Sequence, residues 1–355
     1  MAFKIRERFV GEDMPCYVTF EAGPTHSGLE SAIELVQMAA GAGADAIKFQ
    51  IFDPDRLVAD KKLPFSYEIL VNRETGEMRT VTEPLYNILA RRYLKPEEWK
   101  KVKAVADELN LAFFATVGFE DDITLLQEIG CDSIKIASSD VNHYPLIRQA
   151  AKTGMCIQLD TGSSTLGEIE KAVDVILAEG NNKIIIHQCP SGYPARLESI
   201  HLRMIPTLKA MFPFPIAFSD HTPGWDMDIA AMALGAKLVE KTITKDRTTP
   251  SVEHIFSLEG VELANFIRAI RDVETAFGDP RRVLSQKELE QRKKFRRSMF
   301  AKRNLSAGEV LSQNDIEFRR PGTGLQPDFL EGVLNKRLSA DVFAGHMFGW
   351  QDFAE

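Results

Sequence analysis

The stretch LVEKTITKDR, residues 238–247, begins as an apolar, β-branched run and ends in charges. A strand that finishes in Glu240, Lys241, Lys245, Asp246 and Arg247 either reaches solvent or lines a polar site. Its place in the chain narrows the choice, because it is the last of eight such runs. The others are CYVTFEAG (16–23), AIKFQIF (46–52), AFFATV (112–117), SIKIAS (133–138), MCIQLDT (155–161), KIIIHQCP (183–190) and PIAFSDHT (215–222). Seven of the eight are followed by segments of helical periodicity, such as SAIELVQMAAGAG and LGEIEKAVDVILAEG. The last helical pattern, VELANFIRAIRDVETAFG, stops at Gly278 before Asp279-Pro280. Eight β-α units within about 260 residues predict an α/β fold of the (β/α)8 TIM-barrel type. A doubly wound open sheet is the runner-up, but no G-x-G-x-x-G follows the first strand.

The 355 residues allow one large domain and a small one. A net charge of −8 argues against nucleic acid as a partner, since such binders need a basic field. No run reaches the roughly 18–20 apolar residues that span a bilayer, and MAFKIRERFV lacks a signal-peptide core. The expectation is a cytoplasmic protein that uses neither membrane nor nucleic acid. Cys16, Cys131, Cys156 and Cys189 are widely spaced in apolar surroundings and read as reduced core thiols. Residues 53–95 make a long connection of the kind that often forms a lid. Domain boundaries are expected at 1–280 for the barrel, 281–297 for a linker ending in the basic run RKKFRR, and 298–355 for a small domain. That last part is rich in turns such as RPGTG and has no helical pattern.

Barrel enzymes place their chemistry at the C-terminal ends of the strands. Those ends carry Glu21 and His26, Lys48 and Gln50, Thr116, Lys135 and Ser138, Asp160 and Thr161. They continue with Cys189, Ser191 and Tyr193, then Ser219, Asp220 and His221, and finally Lys241, Lys245 and Asp246. Lys48 and Lys135 are the informative pair, because lysine is rarely buried alone and both fall where alternation points inward. With Gln50, Thr116, Ser138 and Ser219 they could bind a phosphate or carboxylate. The rival readings are ion pairing with Glu21, Asp160 or Glu240, and a Schiff-base lysine. His221 beside Asp220 is a hydrogen-bonding residue or a metal ligand, with His26 and His254 as possible companions.

EAGPTHSG, AIKFQ, SIKIASSDVNHYPLI, LDTGSSTLGEIEKAV, CPSGYPA, FSDHTPGWDMDIAAMALGAKLVEK and RRSMFAKRNLSAGEVLSQNDIEFRRPGTG occur in that order. Together they resemble the sialic acid synthase family, with its legionaminic, pseudaminic and spore-coat polysaccharide relatives. The resemblance implies a TIM barrel followed by an antifreeze-like (SAF) domain. It implies condensation of phosphoenolpyruvate with an N-acetylated hexosamine into a nonulosonic 2-keto acid for surface polysaccharide, helped by a divalent metal (Mn or Mg). It also implies a domain-swapped homodimer in which Arg320 reaches the partner's barrel. Phosphoenolpyruvate would fall to Lys48, Gln50, Thr116, Lys135, Ser138 and Ser219, sugar contacts to Glu21, Ser191 and Tyr193, and metal to His221. Glu21, Asp140 and Glu253 are the candidate catalytic carboxylates.

Four departures from the family pattern fall on the chemistry. Thr242 stands where the family keeps a second metal-binding histidine, and hydroxyl is a poor substitute for imidazole. Asp160 replaces a phosphate-binding serine, which sets a carboxylate against a phosphate unless a lysine pairs with it. Asp140 and Glu253 exchange one acid for the other. Beyond these four, Thr25 replaces an asparagine and Gln188 a histidine. These changes leave three readings open: His221 with Asp220 or Glu253 as metal ligands, a metal-independent enzyme, or a non-catalytic or altered-substrate sugar-binding paralogue.

Overall fold

The computed structural model describes residues 2–354. Eight parallel strands run Tyr17–Glu21 (β1), Ala46–Ile51 (β2), Ala112–Val117 (β3), Ser133–Ile136 (β4), Cys156–Asp160 (β5), Ile184–Gln188 (β6), Ile216–Asp220 (β7) and Leu238–Thr244 (β8). Each pairs with the next, and β8 pairs with both β7 and β1, so the sheet closes. The helices between and after them are Leu29–Ala42 (α1), Pro96–Glu108 (α2), Glu120–Glu128 (α3), Tyr144–Lys152 (α4), Leu166–Ala178 (α5), Met204–Met211 (α6), Asp226–Ala233 (α7) and Glu262–Phe277 (α8). This is the TIM barrel that the eight runs predict.

Alternation along the strands builds two different interiors. Outward residues such as Val18, Phe20, Ile47, Phe49, Ile134, Ile157 and Val239 pack under the helices in the main core. Inward residues change character along the barrel axis. Tyr17, Ala46, Ala112, Phe114, Cys156, Ile185, Ala217 and Leu238 form an apolar cluster at the strand starts. A hairpin of Ala2–Ile5 and Arg8–Gly11, not anticipated from sequence, adds Ile5 and Val10 to this cluster. Farther along, the inward positions turn polar with Glu21, Lys48, Lys135, Gln158, Asp160, His187, Ser219, Glu240 and Thr242, all buried. The polar end is therefore the C-terminal end of the strands.

The long connection after β2 is an antiparallel hairpin, Pro64–Asn72 with Glu77–Pro84, followed by a short helix Leu85–Ala90. Tyr67, Ile69, Ile88 and Val252 form a small apolar cluster under it.

The chain divides into two compact units, one ending at Phe277 and the other beginning at Gly278. Within the second, the segment expected as a linker contains a helix, Gln286–Phe295, capped by Ser285 and Glu288 and burying none of its residues. Strands Ser298–Ala301 and Ile316–Arg319 pair antiparallel around a core that includes Met299, Leu311, Val333 and Phe348.

Candidate active site

Glu240 of β8 is buried at the centre of the polar end. Its Oε1 accepts from Lys48 Nζ at 2.8 Å, and its Oε2 from Lys135 Nζ at 2.6 Å. Lys48 also pairs with Glu21, the neighbour that β1 sets opposite it. Lys135 lies 3.0 Å from Asp160 Oδ1 and donates to Ser219 Oγ at 2.9 Å. Both lysines are thus ion-paired with the three carboxylates named as their alternative partners. Three carboxylates face two ammonium groups, so the cluster carries an excess of one negative charge.

Burial disfavours every charge here, and the pairing decides which charges survive. Burial would lower the Lys135 pKa, but Asp160 and Glu240 outweigh it and the net shift is upward. Burial would raise Glu240, yet Lys135 and Lys48 hold it below the usual carboxylate range. For Lys48 desolvation wins over Glu240, and its pKa falls.

His187, missed as a site residue, completes the cluster. Its Nε2 donates to Gln158 Oε1 at 2.9 Å, Gln158 Nε2 donates to Ser133 Oγ at 2.9 Å, and Ser133 donates to Cys156 O at 3.0 Å. That directed chain makes Nε2 the protonated nitrogen, while Nδ1 lies 2.9 Å from Ser219 Oγ and 3.5 Å from Lys135 Nζ, whose ammonium can donate to it. Burial, then the charge of Lys135, lowers the imidazole to about 3, so it stays neutral. The alternation of KIIIHQCP could have placed His187 inward.

Above the cluster opens a cavity of about 230 Å³ lined by Glu21, Lys48, Gln50, Thr116, Ser138, Asp140, Asp160, Tyr193, His221, Glu240 and Glu253. Lys135 and Ser219 lie directly beneath it through their bonds to Asp160 and Glu240. Gly23 permits the tight turn beside it, since a Cβ there would come within 2.6 Å of Glu21 Oε1 and 2.7 Å of Gln50 N. Desolvation raises the pKa of Asp140, making it a natural proton carrier. Burial, and then the charge of Glu253, pushes the Tyr193 phenol well above its usual value.

Two expected residues lie elsewhere. Ser191 lines a neighbouring cavity of about 760 Å³, which meets the first at Cys189, and its Oγ is 2.7 Å from Ser163 Oγ. Arg320 belongs to the second unit, where its Nε donates to Phe295 O at 3.1 Å. Lys241 and Asp220, read as strand-end candidates, point out of the barrel because alternation turns them toward the helices. They pair with each other and stand beside Asp228 of α7. The end of the opening stretch reaches the surface, where Lys245 meets Glu34 and Asp246 meets Arg73.

The metal expectation fares differently from the anion site. Among the described residues no three His, Cys, Asp or Glu side chains come together as a metal-holding group. His221 Nδ1 faces Pro190 O at 3.3 Å, and its ring lies 4.6 Å from that of Tyr193. Thr242 Oγ1 donates to Glu253 Oε2 at 3.2 Å. Asp220, the other suggested ligand, is turned outward. The residues present do not fit a divalent ion.

The NeuB family model matches residues 35–282, and the SAF domain model matches residues 296–354. The N,N'-diacetyllegionaminic acid synthase of Legionella pneumophila is 31% identical over 346 residues, covering 96% of this chain and 95% of that one. The spore coat polysaccharide biosynthesis protein SpsE of Bacillus subtilis is 33% identical, with 99% and 97% covered. The solved N-acetylneuraminic acid synthetase of Leptospira borgpetersenii superposes with a TM-score of 0.71 at 28% identity, over 82% of this chain and 95% of that one.

Proposed function

The chain belongs to the NeuB family and carries a SAF domain, and from that premise we propose that it condenses phosphoenolpyruvate with an N-acylated hexosamine. The product would be a nonulosonic 2-keto acid for surface polysaccharide. The observation that supports this most is the convergence of Lys48 and Lys135 on Glu240 beneath a pocket lined by Gln50, Thr116 and Ser138. Fixed ammonium groups and hydroxyls in a closed-off site stabilise a phosphate and carboxylate without reorganisation.

In this reading C3 of the enol attacks the aldehyde carbon, and the aldehyde π pair moves to its oxygen, which takes a proton. Water then adds at C2 and loses a proton to a carboxylate; the bond from C2 to the bridging phosphate oxygen breaks, and phosphate leaves with that electron pair and the proton of the new C2 hydroxyl, giving the 2-keto group. Lys48, Lys135, Gln50, Thr116, Ser138 and Ser219 hold the phosphoenolpyruvate. Glu21, Asp140 and Glu253 are the proton-handling groups, and Tyr193 and Ser191 contact the sugar. No step is routed through a metal, because the donor set does not fit one. The reading includes a cytoplasmic, domain-swapped homodimer to which Arg320 contributes. No helix among the described residues is long and apolar enough to cross a membrane.

Phosphate release from phosphoenolpyruvate with a panel of N-acyl hexosamines, with and without Mn²⁺, tests the proposal. Release with at least one sugar supports it, and no release with any sugar sinks it. The Asp160 pairing with Lys135 and Ser219 favours a second reading, a non-catalytic sugar-binding paralogue. A melting-temperature rise with phosphoenolpyruvate that disappears in Lys48→Ala would reject that alternative.

A further inference from the structure

Inward positions two residues apart on neighbouring strands build a polar column beneath the anion site. Ser133 and Lys135 stand on β4, Cys156, Gln158 and Asp160 on β5, His187 on β6 and Ser219 on β7. Ser133, Lys135, Gln158 and His187 are fully buried. Neither Gln158 nor His187 has a task in the proposed condensation. Burying an imidazole and an amide where an apolar side chain would pack is costly unless their polar atoms are satisfied. Here both ring nitrogens and both amide heteroatoms find partners.

The hydrogen bonds run in one direction. Ser133 Oγ spends its hydrogen on Cys156 O at 3.0 Å, so it accepts from Gln158 Nε2 at 2.9 Å. That orients the amide, whose Oε1 accepts from His187 Nε2 at 2.9 Å. The imidazole, kept neutral by burial and then by Lys135, carries a single proton, and that proton is on Nε2. Nδ1 therefore presents its lone pair to Ser219 Oγ at 2.9 Å and to Lys135 Nζ at 3.5 Å. The three hydrogens of Lys135 meet four acceptors: Glu240 Oε2 at 2.6 Å, Ser219 Oγ at 2.9 Å, Asp160 Oδ1 at 3.0 Å and His187 Nδ1. Ser219 and His187 are the two without charge, so they hold the ammonium without cancelling it. In the opposite tautomer an N–H at Nδ1 would face the ammonium and displace it from Ser219.

We propose that His187 is a positioning residue for phosphoenolpyruvate and that Gln158, with Ser133 behind it, sets its tautomer. The Nδ1 lone pair holds the Lys135 ammonium and the Ser219 hydroxyl where an incoming anion takes a hydrogen bond from each. This inference rests on the anion site of the condensation reading, and its experiment separates the two.

Wild type, His187→Leu, His187→Gln and Gln158→Leu are compared by calorimetric titration with phosphoenolpyruvate, by ¹⁵N NMR of labelled histidine, and for phosphate release with the N-acyl hexosamine panel. Of the seven imidazoles in the chain, His187 is the one whose signals vanish in His187→Leu. Wild type should show a protonated Nε2 and a bare Nδ1 at pH 7. Added phosphoenolpyruvate should move the Nδ1 resonance and leave Nε2 in place. His187→Leu should weaken phosphoenolpyruvate binding about tenfold, with a loss in KM that exceeds the loss in kcat. His187→Gln should recover most of the affinity, because its amide oxygen and N–H reproduce Nδ1 and Nε2. The Gln158 side chain hydrogen-bonds neither lysine and does not line the cavity. Gln158→Leu should nevertheless move the imidazole proton to Nδ1 and weaken the ligand as much as His187→Leu does.

A wild-type Nδ1 that carries a proton overturns the proposal, as does unchanged affinity in Gln158→Leu with the tautomer reversed. Should His187→Leu fail to fold, the wild-type resonances and Gln158→Leu decide alone. Phosphate release with equal phosphoenolpyruvate affinity in wild type, His187→Leu and Gln158→Leu removes the His187 role and leaves the condensation. Affinity lost in both variants, with no phosphate from any sugar in wild type, removes the condensation and leaves the His187 role.

Discussion

Asp160 Oδ1 lies 3.0 Å from Lys135 Nζ and accepts the hydroxyl of Ser219 at 2.9 Å, so a carboxylate occupies the corner of the site that the proposed condensation gives to phosphate. A phosphate entering there meets a negative charge that has already claimed the cation. Asp160→Ser should therefore tighten phosphoenolpyruvate binding by about tenfold, equivalent to about 1.4 kcal/mol. Asp160→Asn should do nearly as well, since charge and not size is responsible. Calorimetric titration checks both, and unchanged or weaker affinity in both variants contradicts the account.

Glu240 bridges both lysines, which makes it the hinge of the cluster's electrostatics. Glu240→Gln removes the carboxylate that both lysines share but leaves Lys48 with Glu21 and Lys135 with Asp160, a change expected to destabilise by about 1–3 kcal/mol. Urea unfolding at neutral pH measures the loss. Because the variant has lost the excess carboxylate that competes with the ligand's negative charge, saturating phosphoenolpyruvate should recover more stability in this variant than in wild type. Equal recovery in both would show that Lys48 and Lys135 are not the anion's ligands.

The barrel was legible because its signal is repeated eight times: seven runs became strands within two residues at either end, and the run at 238–247 became a strand that stops at Thr244. The N-terminal hairpin Ala2–Ile5 with Arg8–Gly11 was not, since strands of four residues with exposed faces carry too little periodicity. Lys48 and Lys135 could be read as inward by alternation, and the same rule would have turned Lys241 outward and His187 inward. The motif pattern singled out Asp160 and Thr242 as departures, but the consequences depended on distance: Asp160 reaches Lys135, and Thr242 reaches Glu253.

Lys241 contrasts with Lys48 and Lys135: it follows Glu240 on β8 but faces out of the barrel. It is fully buried outside the barrel, paired with Asp220, held to the Thr222 carbonyl at 2.5 Å and 3.6 Å from Asp228. Burial, and then Asp220, pushes Asp228 well above the ordinary carboxylate value. Lys241→Met should cost about 3–5 kcal/mol by stranding Asp220, while the ligand-induced melting shift remains. A variant of normal stability that loses the shift would place Lys241 in the site after all.

Acid sensitivity follows from the buried imidazoles. His187 and His26 are lowered by burial to about 3 and His254 to about 4, from an ordinary 6.5. Below about 6.5 the unfolded chain binds protons that the folded chain refuses, so stability present at pH 7 is lost as pH falls toward those values. Each group contributes a slope of up to about 1.4 kcal/mol per pH unit in that window. Asp122, which burial lifts to about 6, acts in the opposite direction, so a single pH curve mixes signs. Comparing wild type with His187→Gln isolates one imidazole: the variant's unfolding free energy should fall less steeply between pH 6.5 and pH 4, by about one proton's worth of slope. Parallel curves for the two proteins would mean that His187 is protonated in the folded barrel, with Nδ1 donating as well as Nε2.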